Sequence, residues 1–225
     1  MPDVIFHSMA DSAYLWAVIH VADEKGVSHE VAPLILGSPE HLRLHPFAKM
    51  PVMQHGNVIL YESLAIAHYL DRAFDGPALQ PADALGQAHM LRWASIVNAY
   101  VFPVMNRFMK ERLVKPAWMI EPDLAFVEAA RAPLSTQVRL IDEALKAAAF
   151  LVGDRLTIAD SFLLPHLLFF ARTPEGEQML ARTPATLDWL ARMMARPSFT
   201  GSAMSRAYAV AERLPRPTDL AWPLP

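Results

Sequence analysis

KMPVMQHGNVILYES, residues 49–63, sets two short apolar runs around a His-Gly-Asn turn and stops at an acid and a hydroxyl. Val52 to Gln54 and Val58 to Tyr61 flank a Gly-Asn pair, which predicts a β-hairpin. Pro51 stands at the start of the first strand, where losing a backbone donor is tolerated. Glu62-Ser63 then opens an amphipathic helix carrying Leu64, Ala67, Tyr69 and Leu70 and ending near Phe74. Both polar residues therefore fall in a helix's first turn, where unpaired N–H groups and a partial positive charge favour an anion.

Upstream, Val4-Ile5-Phe6 suits a short buried strand. Ser12 precedes a helical pattern from Ala13 to about Lys25, with Leu15, Val18, Ile19 and Ala22 at helical spacing and Gly26 just past its end. His29 to Leu34 reads as a second strand, and Ser38-Pro39-Glu40 opens a short helix with serine as N-cap. Downstream, DGPALQPADAL at 75–85 is a linker, after which the β signals stop. A long helix is predicted from Gly86 to about Leu113, carrying Trp93, Val97, Tyr100, Val104 and Phe108, with a kink at Pro103. Further helices are expected at about 122–149, 157–171, 175–182 and 184–195, and the tail after Leu214 is too proline-rich to extend them. The expectation is an α/β domain over 1–76 and an all-α domain over 86–214.

At 225 residues and 53% hydrophobic, the chain can bury a large core. Lysine and arginine number 20 against 23 acids with no basic block, which argues against nucleic-acid binding. The N-terminus does not read as a secretory signal, and FLLPHLLFFA at 162–171 is far short of the roughly 20 apolar residues of a membrane span. A soluble, cytoplasmic protein is expected. With no cysteine in the chain, any thiol chemistry must arrive with a ligand.

The order strand, helix, strand, helix, hairpin, helix, then an all-helical part, resembles the glutathione transferases: a thioredoxin-like N-terminal domain followed by a helical C-terminal one. SPEHLRLHPFAKMPVM, VILYESLAIAHYL and FLVGDRLTIADSFLLP carry the resemblance, which points to the cytosolic, serine-type branch, bacterial or phi-like. It implies a cis bond before Pro51, with the backbone of Met50 meeting the cysteinyl part of glutathione. It implies that Glu62 and Ser63 bind the γ-glutamyl end and Lys49 the glycine carboxylate. Counting back from the Glu-Lys-Gly after the first helix, the family's thiol activator falls on Ser12, with Ser8 and Tyr14 as fallback donors. A serine there favours hydrogen-bond activation of the thiol over mixed-disulfide chemistry. The sequence departs from the family pattern at Trp16-Ala17, where arginines are frequent, and at Leu36-Gly37, where a basic residue is frequent. Asp11-Ser12-Ala13 does not match the start expected of the dicarboxylate isomerases.

The resemblance also implies a hydrophobic electrophile held between the domains, with Met9, Tyr100, Phe102, Met105, Phe108 and Trp118 as candidate lining. Thr157 and Asp160 read as a structural capping box. His41 and His45 share a helix face, but no third ligand of matching spacing follows, so no metal is expected. His41 is expected to be exposed, and His45 to end its helix facing the cleft. Two functions remain: a glutathione transferase acting by conjugation, dehalogenation or ether cleavage, and a non-catalytic binding or scaffold protein of the same fold. A homodimer is expected from the resemblance.

Overall fold

The computed structural model describes residues 2–10, 12–202, 204–206 and 208–209. Four strands, β1 (Val4–Ser8), β2 (His29–Pro33), β3 (Val52–His55) and β4 (Val58–Tyr61), form one sheet in the order β2-β1-β3-β4. β1 runs parallel to β2, with Val4 opposite His29, and antiparallel to β3, with Phe6 opposite Met53. A parallel pair needs a crossover, and α1 (Ala13–Glu24) supplies it. Ser12 caps α1 by accepting the Leu15 N–H at 3.4 Å, and Gly26, at φ 69°, ends it in the left-handed conformation glycine tolerates. α2 (Pro39–Leu44) starts at Ser38, whose hydroxyl accepts the His41 N–H at 3.1 Å. The hairpin turns at Gly56, pairing Val52 with Tyr61, and α3 (Ser63–Ala73) follows directly.

The linker is tied down. Asp71 accepts the Leu79 N–H at 2.8 Å and the Gln80 amide at 2.9 Å, and it pairs with Lys25 at 3.3 Å, which seats Leu79 in the interior.

Beyond it, α4 is a continuous rod over 84–117, α-helical over Ala84–Ile96 and π-helical over Val97–Asn106 and Lys110–Val114. Short α segments, Arg107–Met109 and Lys115–Ala117, separate and close the π stretches. Pro103 lacks an N–H and crowds the preceding turn of an α-helix, and the chain meets it inside the wider π winding. The single helix expected at 122–149 is two, α5 (Leu124–Ala129) and α6 (Arg131–Ala147). Pro133 explains the break: it fits a helix's first turn, where no donor is needed, and not its middle.

α7 (Ile158–Phe170) is buried on all faces except Phe169, as befits a central helix, and α1 packs along it. One apolar core therefore runs from Val4, Phe6 and Met53 in the sheet through α1 to Leu164 and Leu167. The complete Thr157/Asp160 capping box starts α7. α8 (Pro174–Leu180) and α9 (Pro184–Met194) finish the helical part. The expected boundary at 214 and the proline-rich tail lie outside the described residues. Among the described residues no helix is long and apolar enough to cross a membrane.

Candidate functional site

Where the sheet's loops face α4, a cavity of about 670 Å³ opens. Met9 and Ser12 to Tyr14 form one side, the stretches 48–51 and 62–64 with His45 another, and Asn98, Phe102, Asn106 and Lys110 of α4 the wall opposite.

Ser12 is half-buried, and because its oxygen serves as acceptor in the α1 cap, its O–H proton is left to donate. Trp16, where the family pattern has an arginine, holds this loop: its indole N–H donates to the Ala10 carbonyl at 2.9 Å while the ring stacks on Phe169 of α7, centroids 4.9 Å apart. Of the fallback donors, Ser8 is buried and donates to the Met9 carbonyl at 3.1 Å, whereas Tyr14 lines the cavity against Phe102, rings 4.6 Å apart. Burial, reinforced by the charge of Glu62, pushes the Tyr14 phenol up to about 12.

The Met50–Pro51 bond is cis. Glu62 adopts φ 70°, uncommon for a residue with a Cβ and of the kind that clusters at functional sites. It precedes α3 without capping it through its side chain, and Ser63 and Leu64, whose N–H groups have no acceptor within the helix, line the cavity.

His41 corrects an expectation: it is fully buried. Its Nδ1 accepts the Gly37 N–H at 3.0 Å, so Nε2 carries the proton and donates to the Lys49 carbonyl at 2.8 Å. Both ring nitrogens are thereby used, and the ring braces the segment that carries Lys49, Met50 and Pro51. The sequence placed His41 in solvent because nothing in the spacing announces a bond from the helix to the loop beyond it. His45 ends α2 and faces the cavity, stacked on Tyr61 at 4.5 Å. Burial holds its ring below the ordinary histidine range, with the nearby His41 and Lys49 acting the same way against the pull of Glu62.

Ser12, His45, Lys49, Met50, Pro51, Glu62, Ser63, Met9 and Phe102 are thus brought to one cavity. The other four candidates are not on its wall. Met105 and Phe108 are sealed in the core, and Tyr100 and Trp118 stand 65% and 71% exposed. Apolarity selected them, and on α4 the apolar faces serve the core or the outer surface. The residues that α4 turns to the cavity recur every fourth position, at 98, 102, 106 and 110. In an α-helix such a row drifts by about 40° per step. The wider π turns over 97–106 and 110–114 drift the other way and so counter it. The four-residue spacing was the signal available in the sequence, and three of the four residues being polar hid it.

Residues 6–78 match the family model of the glutathione S-transferase N-terminal domain and residues 93–197 that of its C-terminal domain. Glutathione S-transferase 3 of Zea mays is 30% identical over 88% of this chain and 92% of its own length. Glutathione S-transferase 1 of Triticum aestivum is 27% identical over 80% and 85%. Among solved structures, that of glutathione S-transferase III in apo form is 28% identical, covers 96% of this chain and 100% of its own, and superposes with a TM-score of 0.81.

Proposed function

Because the chain belongs to the glutathione S-transferase family, we propose that the cavity binds glutathione along residues 45–63 and that Ser12 holds its thiol as the attacking thiolate. The observation that carries this reading is one cavity shared by a serine hydroxyl with its proton free and by the uncapped start of α3. The γ-glutamyl carboxylate meets Ser63 and the free N–H groups of α3, and the ammonium beside it meets Glu62. Lys49 and the Nε2–H of His45 take the glycine carboxylate, and the backbone of Met50 takes the cysteinyl unit. The thiolate then forms a carbon–sulfur bond to an electrophile lying against Phe102 and Tyr14, and the leaving group departs with the bonding pair.

The cofactor role of glutathione is that of co-substrate. The chain divides into a glutathione-binding domain over 1–76 and a helical domain over 86–214, acts in the cytoplasm and pairs as a homodimer. Phe47, 69% exposed, and the outward faces of Val58 and Ile59 support a partnered surface near the site. Titration calorimetry with glutathione, followed by conjugation of 1-chloro-2,4-dinitrobenzene, tests the reading. Binding with turnover supports it. Binding with none leaves the scaffold alternative, which Trp16 and Ala17 in place of arginines favour, and no binding refutes both assignments of the cavity.

A further inference from the structure

The row on α4 facing the cavity consists of an amide, a ring, an amide and an ammonium: Asn98, Phe102, Asn106 and Lys110. Such a wall is not built for a purely apolar electrophile. The cations of the same stretch are otherwise neutralised. Arg107 pairs with Asp123 at 2.9 Å, Arg112 with Glu175 at 2.9 Å and Lys115 with Glu111 at 2.7 Å. Lys110, the one turned to the cavity, has no carboxylate partner among the described residues. A second, independent observation lies at the other end of the row. The Asn98 Oδ1 atom is buried and has no hydrogen-bond partner among the described residues, and a buried acceptor of that kind costs free energy until a donor arrives.

We propose that the second substrate is an aromatic electrophile bearing an anionic oxygen group, of the carboxylate class, which Lys110 pairs and the Asn106 amide flanks while Phe102 and Tyr14 hold the ring. This rests on the transferase reading above and narrows it. Eight residues of helix separate Phe102 from Lys110, a rise of about 12 Å or less, which the lysine side chain shortens by reaching back along the rod. A single ring with a carboxylate spans what remains. Glutathione's own carboxylates are provided for elsewhere, by the start of α3 and by Lys49 with His45, so Lys110 is a charge in excess of what that ligand needs. The donor for Asn98 Oδ1 comes from an N–H of the bound glutathione, since the carboxylate brings none.

The test compares 4-chloro-3-nitrobenzoate with its neutral amide in the full chain with saturating glutathione, each kcat/KM divided by its uncatalysed rate. The expected result is a carboxylate-to-amide ratio above one that falls about tenfold in Lys110→Met and is held by Lys110→Arg. An unchanged ratio overturns the proposal, as does a loss shared equally by the two electrophiles or confined to the half-saturation for glutathione. Should neither electrophile turn over, the transferase reading fails by itself. Calorimetric titration of the benzoate and the amide alone then decides this proposal by the same ratio in wild type and Lys110→Met.

Discussion

Ser12 caps α1 and, in the proposed mechanism, also donates to the glutathione thiolate, and substitution by glycine and by alanine separates the two roles. The cap is a bond of 3.4 Å from the Leu15 N–H, long for its kind, so its loss to alanine costs about 1 kcal/mol or less, and glycine at an N-cap costs only a few tenths. Ser12 sits at φ −74°, ψ 121°, which any residue adopts, so neither replacement strains the backbone. A hydrogen bond to a charged group contributes about 1.5 to 3 kcal/mol, and at 1.36 kcal/mol per pKa unit the hydroxyl lowers the bound thiol by about one to two units from its free value near 8.5. The sign follows: between the lowered and the free value, glutathione gives up a proton on binding. Both substitutions close that window. We expect ultraviolet titration of the bound thiolate to show the pKa returning towards the free value in Ser12→Gly and Ser12→Ala alike. The thermal midpoint should fall measurably only in the alanine variant. A thiol pKa unmoved by either substitution would refute the donor role and leave Ser12 a cap. If Tyr14→Phe moved it instead, the donor would be the phenol, whose proton is retained up to about 12.

Glu62→Gln should raise the half-saturation for glutathione about tenfold or more, the value of one charge-assisted bond, with circular dichroism unchanged because Glu62 does not cap α3 through its side chain. An unchanged half-saturation would remove the acid from the site. Asp160→Ala strands four buried donors, the N–H groups of Leu151 and Thr157, the Thr157 hydroxyl and the Trp189 indole, all between 2.8 and 3.1 Å from the carboxylate. Urea unfolding should show a loss above about 3 kcal/mol, and a loss below about 1 would refute the account. His20 and His166 are both lowered to about 4 by burial, with Glu24 opposing and Arg196 assisting the shift at His20. The unfolded chain therefore binds more protons between pH 6.5 and 4, and stability should fall as pH drops through that window, by roughly 3 kcal/mol per ring. Urea midpoints in that range should drop less steeply in His166→Phe, and an equal slope would show that His166 does not titrate.

What the sequence disclosed and what it hid divide along a physical line. Local signals acted locally: Ser12, Ser38 and Thr157 sit at the helix starts their chemistry predicts, and the Gly56-Asn57 turn closes the hairpin between Val52 and Tyr61. The residues at chain turns and helix starts were legible because a cap or turn is decided within about four residues. The α4 wall was not, because its facing depends on a change of helical winding around Pro103 that no 3.6-residue pattern contains. Met105 and Phe108 were expected in the pocket and are core, while Asn98, Asn106 and Lys110, which a search for apolar residues passes over, line the cavity. His41 was hidden for another reason. A buried histidine and an exposed one have the same local signature until the partner at Lys49 is in place.

Trp16 joins these two halves. An arginine there would serve the site by charge. The indole serves it by geometry, fixing the Ala10 carbonyl two residues before Ser12 while its face lies flat on Phe169 of the central helix. The cap residue is thereby referenced to the helical part rather than to the sheet alone. The same central helix presents His166 to Phe102, ring centroids 5.6 Å apart, and Phe102 in turn to Tyr14. The loop that carries Ser12 and the Phe102 wall of the cavity thus rest on neighbouring turns of α7. A change in the packing of that helix moves both together, so in the proposed reaction the distance between Ser12 and the wall offered to the second substrate is held by a helix buried in the core.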